Sequence, residues 1–329
     1  MGVGIIGVGK KLADNVVTNE DICGMMDTTS EWIVERTGVT ERRIATTQKS
    51  LDFSLAAGSE ALKGIDYSSI DLVIVATCTP DMIVPTMGSL VKMRLGLKNA
   101  VVFDLNSACS GFVYAMWTAE SIMKASATGP GRKINRALVI GSERISRIAD
   151  WDDRKSCILF GDGAGCAVLE NREEETGIIT SYFKNYDDVN DALWCGMEYK
   201  QNPFSGEEEI TNMKVKMSGT QVFKFAVTAV NEVMDKTLEY AGITADEVDC
   251  YIPHQANLRI IKSAAQRFKQ PMEKFQISID KTGNVSAASI PMALCDAQKA
   301  GKVKKGDLVM LVGFGGGLSA GALLMRMWI

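Results

Sequence analysis

The sequence predicts an α/β fold made of two similar halves, and three observations carry that prediction. Short apolar, β-rich runs alternate with longer stretches whose apolar residues recur every three or four positions, the pattern of strands alternating with packed helices. The strand, helix, strand plan recurs on both sides of an acidic, weakly periodic stretch spanning residues 171 to 216. The chain of 329 residues is longer than one hydrophobic core usually serves, so we expect an N-terminal half, 1–175, and a C-terminal half, 176–329.

Along the chain, GVGIIGVG (2–9) matches the spacing of a dinucleotide loop, but that loop needs a strand before it and only Met1 precedes Gly2. DLVIVATCT (71–79), AVVFDLNS (100–107), RALVIGSE (136–143) and ILFGDGAGCAVLE (158–170) read as buried strands of the first half. Between them GSLVKMRLGL and GFVYAMWTAESIMKA repeat apolar positions at helical spacing. In the second half QVFKFAVTAVNEVMDKTLEYAG and NLRIIKSAAQRF are helical, whereas VDCYIPH (248–254) and DLVMLVGFGGG (307–317) are strands. The following GFGGGLSAG lacks the Lys and Ser/Thr of a phosphate loop and fits a tight turn that exposes backbone N–H groups to an oxyanion.

Composition narrows the function classes. Charged residues make up 23 % and apolar ones 46 %, as in ordinary globular proteins. A net charge of −4 argues against a general nucleic-acid binder, so any basic docking patch must be local. There is no signal-peptide pattern and no apolar run of 18 residues, so no membrane partner is expected. The eight cysteines include no CxxC pair, and a single histidine cannot complete the usual Cys and His zinc sets, so we expect no metal and a reducing cytoplasm.

Three polar groups stand at strand-to-helix turns. Cys109 follows a strand and opens a helix, where unpaired N–H groups and the helix dipole favour thiolate and predict a lowered pKa. His254, the only histidine, follows VDCYIP and precedes a helix; Asn284 follows a glycine turn and precedes another. For each taken singly the ordinary reading is structural: a buried cysteine, a satisfied histidine, a Gly-Asn turn. Papain-like proteases also order Cys, His and Asn, at a similar Cys-to-His spacing, but their local cysteine signature is absent and the α/β plan is wrong for them. A hydrolase stays as an alternative.

Taken together, DLNSACSGF, IPHQANLRI, GNVSAAS and GFGGG, with TSEWIVERTGVTERR (29–43) and FGDGAG (160–165), resemble the β-ketoacyl-acyl-carrier-protein synthase III family over nearly the whole chain. The resemblance implies a thiolase-like fold, two halves in a five-layered αβαβα sandwich, and a homodimer. It implies a decarboxylative condensation of an acyl-CoA primer with malonyl-acyl-carrier protein, with no permanently bound cofactor. Cys109 would be the acyl-accepting nucleophile. His254 and Asn284 would hold the malonyl thioester carbonyl, and the N–H groups of Cys109 and Gly316 would form an oxyanion hole. Trp32, Arg36, Arg154, Gly219 and Asn257 resemble CoA-binding positions, and Lys224, Arg259 and Arg267 a patch that docks acyl carrier protein. Val84 stands where short-chain enzymes often carry a phenylalanine closing the primer pocket, which implies room for longer or branched primers. The lone histidine separates the chain from elongating synthases, which use two, and the glycine-rich end lacks the second cysteine of thiolases. A related synthase of a secondary-metabolite pathway remains the alternative, as does a non-catalytic paralogue or thioesterase-like protein that keeps the fold.

Overall fold

The structure is a computed structural model that describes residues 2–173, 177–197, 203–204 and 213–329. The expected boundary between residues 175 and 176, and much of the acidic stretch around it, lie outside the described residues.

Two sheets organise the chain. The first holds β1 (Gly2–Leu12), β2 (Leu72–Ala76), β3 (Val101–Leu105), β4 (Arg136–Arg144) and β5 (Asp162–Arg172), in the spatial order β1-β5-β4-β2-β3. The second holds β6 (Ile178–Asn185), β7 (Cys250–Pro253), β8 (Leu308–Gly315) and β9 (Ser319–Arg326), in the order β6-β9-β8-β7. In the first sheet β2 runs parallel to β3 and β4, while β5 is antiparallel to β4 and β1. The second repeats this: β7 is parallel to β8, and β9 is antiparallel to β8 and β6. Where the counterpart of β3 would lie, a parallel bridge joins Tyr251 to Phe275. The duplicated plan is thus present strand for strand, with one strand worn down to a bridge.

Helices fill three layers around the sheets. α1 (Ser30–Thr37) lies outside this stack, while α2 (Ser50–Ala61) and α3 (Met87–Leu95) cover the outer face of the first sheet. α4 (Gly111–Thr128) lies between the sheets and is buried along much of its length, Phe112, Val113, Ala115, Met116, Ala119 and Met123 included. α5 (Gly219–Ala241) and α6 (Leu258–Arg267) cover the second sheet from outside, and α7 (Ser289–Lys299) joins α4 in the centre. A helix with a sheet on each side must be apolar over most of its circumference, which is why α4 and α7 lack a broad polar stripe. The result is the five-layered αβαβα sandwich.

The glycines of GVGIIGVG turn out to belong to a strand. A Cβ on Gly7 or Gly9 would lie 2.2 Å from the carbonyl oxygen of Ala61 or Ala57, so α2 approaches β1 more closely than any side chain allows.

The two central helices begin alike. Ala108 and Ser286 both have positive φ, 44° and 45°, and each opens a 3-10 turn that leads into α4 or α7. Each turn is pinned by an asparagine two residues earlier: the Ala108 N–H donates to Asn106 Oδ1 (3.0 Å) and the Ser286 N–H to Asn284 Oδ1 (2.8 Å). Left-handed backbone at non-glycine residues is strained and persists where surrounding contacts enforce it.

Candidate active site

Cys109 and His254 sit at carboxyl ends of strands, where α/β sheets open their crevices, whereas Asn284, also expected at such a turn, follows the short helix Ile279–Thr282 and the turn at Gly283. Cys109 lies in the turn between β3 and α4. That turn's own hydrogen bonds run from the Ser110 N–H to Ser107 O and from the Gly111 N–H to Ala108 O, so the Cys109 N–H stands outside them. The end of β8 passes directly against it: a Cβ on Gly315 would lie 2.7 Å from Cys109 Cβ. A Cβ on Gly316 would lie 3.6 Å from Ala108 Cβ, which places Gly316 beside the same turn.

The thiol departs from the expectation. A helix N-terminus predicted a lowered pKa, but burial pushes the Cys109 thiol up to about 11, with the Ser286 hydrogen bond opposing and the nearby Glu143 charge adding to the rise. The residue keeps some accessible surface although its thiol is enclosed.

His254 follows β7 directly, and its N–H donates to Val312 O at 2.7 Å. The ring is buried and meets Phe314 edge-on at 5.1 Å. Burial lowers its pKa to about 3, so the imidazole is neutral at physiological pH. Its Nδ1 lies 2.6 Å from Ser289 Oγ, and that oxygen also accepts the Gln255 N–H at 3.3 Å. The hydroxyl proton has no other acceptor among the described hydrogen bonds. It therefore falls to Nδ1, which assigns the ring proton to Nε2. Gln255, fully buried, bonds on both sides of its amide: Nε2 donates to Pro253 O and Gln276 O, and Oε1 accepts from the Ser278 and Ile279 N–H groups. The HQ pair is thus fixed at both residues.

Asn284 is held just as firmly. Its N–H donates to Leu159 O (2.8 Å), its carbonyl accepts from the Gly161 N–H (3.0 Å), and Oδ1 accepts from the Ser286 N–H. The Oδ1 bond fixes the amide orientation and leaves Nδ2 as a two-proton donor. Gly161, in FGDGAG, permits this approach, since a Cβ there would lie 2.2 Å from Thr282 O. A buried neutral imidazole N–H and a buried amide N–H, neither able to act as an acid at neutral pH, suit the stabilisation of a developing oxyanion.

The binding positions fall into two groups. Trp32 and Arg154 are in contact, the guanidinium carbon 4.7 Å from the ring centroid, and Arg36 lies over the same ring at 5.7 Å. A flat ligand between Trp32 and Arg154 requires them to part. Asn257 caps α6, accepting the Arg259 N–H at Oδ1, and donates from Nδ2 to Arg36 O, which ties α6 to α1. Gly219 opens α5, with no atom within 4 Å of where its Cβ would be. Lys224 and Arg259 are exposed on α5 and α6, Arg259 over the Phe223 ring at 5.2 Å, while Arg267 is paired with Asp235 at 3.1 Å. Val84 is 84 % exposed on the surface of the chain.

Sequence reasoning assigned no role to Ser286, Ser289 or Glu143. The two serines lie in the quoted GNVSAAS run, and Glu143 was visible as an acid at the end of an otherwise apolar strand. Among the described residues no helix is long and apolar enough to cross a membrane, and no three His, Cys, Asp or Glu side chains group to hold a metal ion.

The fold defines a class of protein, the thiolase-like condensing enzymes, in which Cys109, His254 and Asn284 are the residues the sequence singled out. The comparisons narrow the class. Residues 103–186 match the family described as 3-oxoacyl-[acyl-carrier-protein (ACP)] synthase III, and residues 238–327 match its C-terminal model. A β-ketoacyl-[acyl-carrier-protein] synthase III of Alkalilimnicola ehrlichii is 44 % identical, covering 98 % of both chains. The solved 3-oxoacyl-[acyl-carrier-protein] synthase III of Aquifex aeolicus is 40 % identical with a TM-score of 0.90, covering 99 % of this chain and 100 % of that one. The priming β-ketosynthase of the R1128 polyketide pathway is 33 % identical, with a TM-score of 0.89 over 99 % of this chain and 96 % of that one. The chain belongs to the 3-oxoacyl-[acyl-carrier-protein] synthase III family.

Proposed function

We propose that this enzyme condenses an acyl-CoA primer with malonyl-acyl-carrier protein to give β-ketoacyl-acyl-carrier protein and carbon dioxide, the first condensation of fatty acid synthesis. The family membership and the neutral, oriented pair of His254 and Asn284 support this reading.

In the first half-reaction the Cys109 sulfur attacks the primer thioester carbonyl, and CoA leaves with the proton. The Cys109 and Gly316 N–H groups face the tetrahedral oxyanion. In the second, His254 Nε2–H and Asn284 Nδ2–H hold the malonyl thioester oxygen. Negative charge gathers there as carbon dioxide departs, and the enolate carbon attacks the acyl-cysteine. A neutral imidazole suits this task, since it donates to the enolate without protonating it.

Trp32 and Arg154 would clamp the adenine, with Arg36 at a phosphate and Gly219 and Asn257 along the pantetheine arm. Lys224 and Arg259 would meet the acidic carrier protein, and Arg267 would join them on leaving Asp235. The active unit would be a homodimer, in which Val84, exposed on one chain, would border the primer pocket of its partner.

Intact mass after incubation with acetyl-, isobutyryl- and hexanoyl-CoA tests the reading. The wild type is expected to gain one acyl group and lose it on addition of malonyl-acyl-carrier protein; Cys109→Ala gains none. Exclusive reaction with acetyl-CoA would sink the expectation attached to Val84, and absence of any adduct would sink catalysis through Cys109.

A further inference from the structure

The two N–H groups that face the oxyanion in the proposed reaction come from segments far apart in the chain. Cys109 lies in the turn between β3 and α4, and Gly316 just beyond β8. Such donors work only when both stand about 3 Å from one shared oxygen, so the two segments must be held in register. Strand pairing does not reach Gly316: the pairing of β8 with β9 ends at Gly315 and Ser319 and leaves residues 316 to 318 as the turn. Leu318 is tied to Tyr186 by backbone hydrogen bonds in both directions, at 2.8 and 3.2 Å. Close packing sets only a lower limit on separation. A Cβ on Gly313 would lie 3.2 Å from Ser110 Cα, so β8 presses on the nucleophile's turn, but contact alone gives no direction.

Hydroxyl groups supply the direction. Ser110, next to the nucleophile, and Ser319, the first residue of β9, are both buried, with their Oγ atoms 2.8 Å apart. Ser319 Oγ also lies 3.2 Å from the carbonyl oxygen of Gly316. Ser110 Oγ lies 2.7 Å from Ser107 O and 3.0 Å from Ser107 Oγ. Each hydroxyl has one proton, so the set closes in either of two directions. In one, Ser107 donates to Ser110, Ser110 to Ser319, and Ser319 to the Gly316 carbonyl. In the other, Ser319 donates to Ser110 and Ser110 to Ser107 O. Both keep the Ser110–Ser319 bond, which is the shortest hydroxyl link between the segments; Ser107 Oγ stands 3.5 Å from Ser319 Oγ.

We propose that Ser110 and Ser319 are positioning residues for acyl transfer, and that the bond between them fixes the Cys109 and Gly316 N–H groups relative to each other. This rests on the acyl-transfer reading. Neither hydroxyl touches substrate: Ser110 acts through the backbone it shares with Cys109, and Ser319 through the turn that carries Gly316. The hole they set serves twice, as Cys109 takes the primer and again as the enolate carbon attacks the acyl-cysteine. Decarboxylation gathers charge on a different oxygen, the one held by His254 and Asn284, and alkylation of the thiol by iodoacetamide forms no oxyanion. A buried hydroxyl pair that only packs would lower stability on removal without singling out one of these reactions.

The test compares Ser110→Ala, Ser319→Ala and the double variant. Each single variant is expected to slow acylation of Cys109 by acetyl-CoA about tenfold, less than the roughly 100-fold that follows outright loss of an oxyanion donor, because both N–H groups remain. The acetyl-CoA concentration at half-maximal rate stays unchanged, since the loss falls on the transition state. Decarboxylation of malonyl-acyl-carrier protein and iodoacetamide alkylation of Cys109, read on its peptide, stay near wild type. The double variant is expected to lose no more than either single one, about tenfold, whereas two independent contributions would multiply to about 100-fold. Wild-type acylation rates in both single variants would overturn the proposal, as would multiplied losses in the double variant. An equal slowing of alkylation would also overturn it, by placing the effect at the thiol itself. Should the double variant not fold, the contrast between acylation and decarboxylation in the single variants decides. If the wild type takes no acyl group, the underlying reading fails instead.

Discussion

At the residue scale, a chain with one histidine allows its chemistry to be read directly. With histidine labelled by nitrogen-15, the neutral imidazole of His254 is expected to show its proton on Nε2 from pH 5 to 8, because Ser289 occupies Nδ1 and burial excludes the cation. A proton on Nδ1 would remove the donor from the enolate site. Ser289→Ala is expected to give a mixture of tautomers and about tenfold slower decarboxylation, with Cys109 acylation unchanged. Cys109 and His254 were legible in the sequence as polar groups at strand-to-helix turns, and Asn284 as one between a glycine turn and a helix. Ser286, Ser289 and Glu143 were not, because each makes its side-chain contacts with a distant segment: 35 positions separate Ser289 from His254. The lowered thiol pKa failed for a related reason. A helix terminus is visible in sequence, but the degree of burial that overrides it is not.

At the scale of elements, the apolar strands β2, β3, β4, β5, β7 and β8 and the helices α3 to α6 were legible from periodicity. β1 was not, since its glycine spacing invited a nucleotide loop and gave no strand pattern. Those glycines answer to packing, so Gly9→Ala is expected to destabilise the protein by about 3 kcal/mol or more, the upper range for overpacking against backbone that cannot yield. A urea titration measures it, and a loss under about 1 kcal/mol would mean that α2 can slide away from β1. Gly219→Ala serves as the control, because its Cβ would meet open space.

For the whole molecule, the buried neutral histidine makes stability depend on pH. In the unfolded chain His254 binds a proton below its ordinary value near 6.5, whereas in the fold it does so only near 3. The unfolded state therefore holds more protons in that window, and stability falls as pH drops from about 6.5 toward 3. His254→Asn is expected to lack this part of the loss, so the gap between the two proteins should change by a few kcal/mol between pH 7 and pH 4 in urea unfolding. Parallel curves would show that the ring titrates freely in the fold.

The paired turns at Ala108 and Ser286 also bear on descent. Asn106 and Asn284 make the same bond in the two halves, and Ala287 occupies in the second half the place that Cys109 holds in the first. Two copies of one loop, packed against each other, need not both do the same work. Both copies keep the asparagine, only the first carries a thiol, and in the proposed reaction it is the second that lends its amide. A gene that doubled in length would thus have gained two different reagents from one inherited turn, and a symmetric pair of half-length ancestors could not have separated those duties without losing its symmetry.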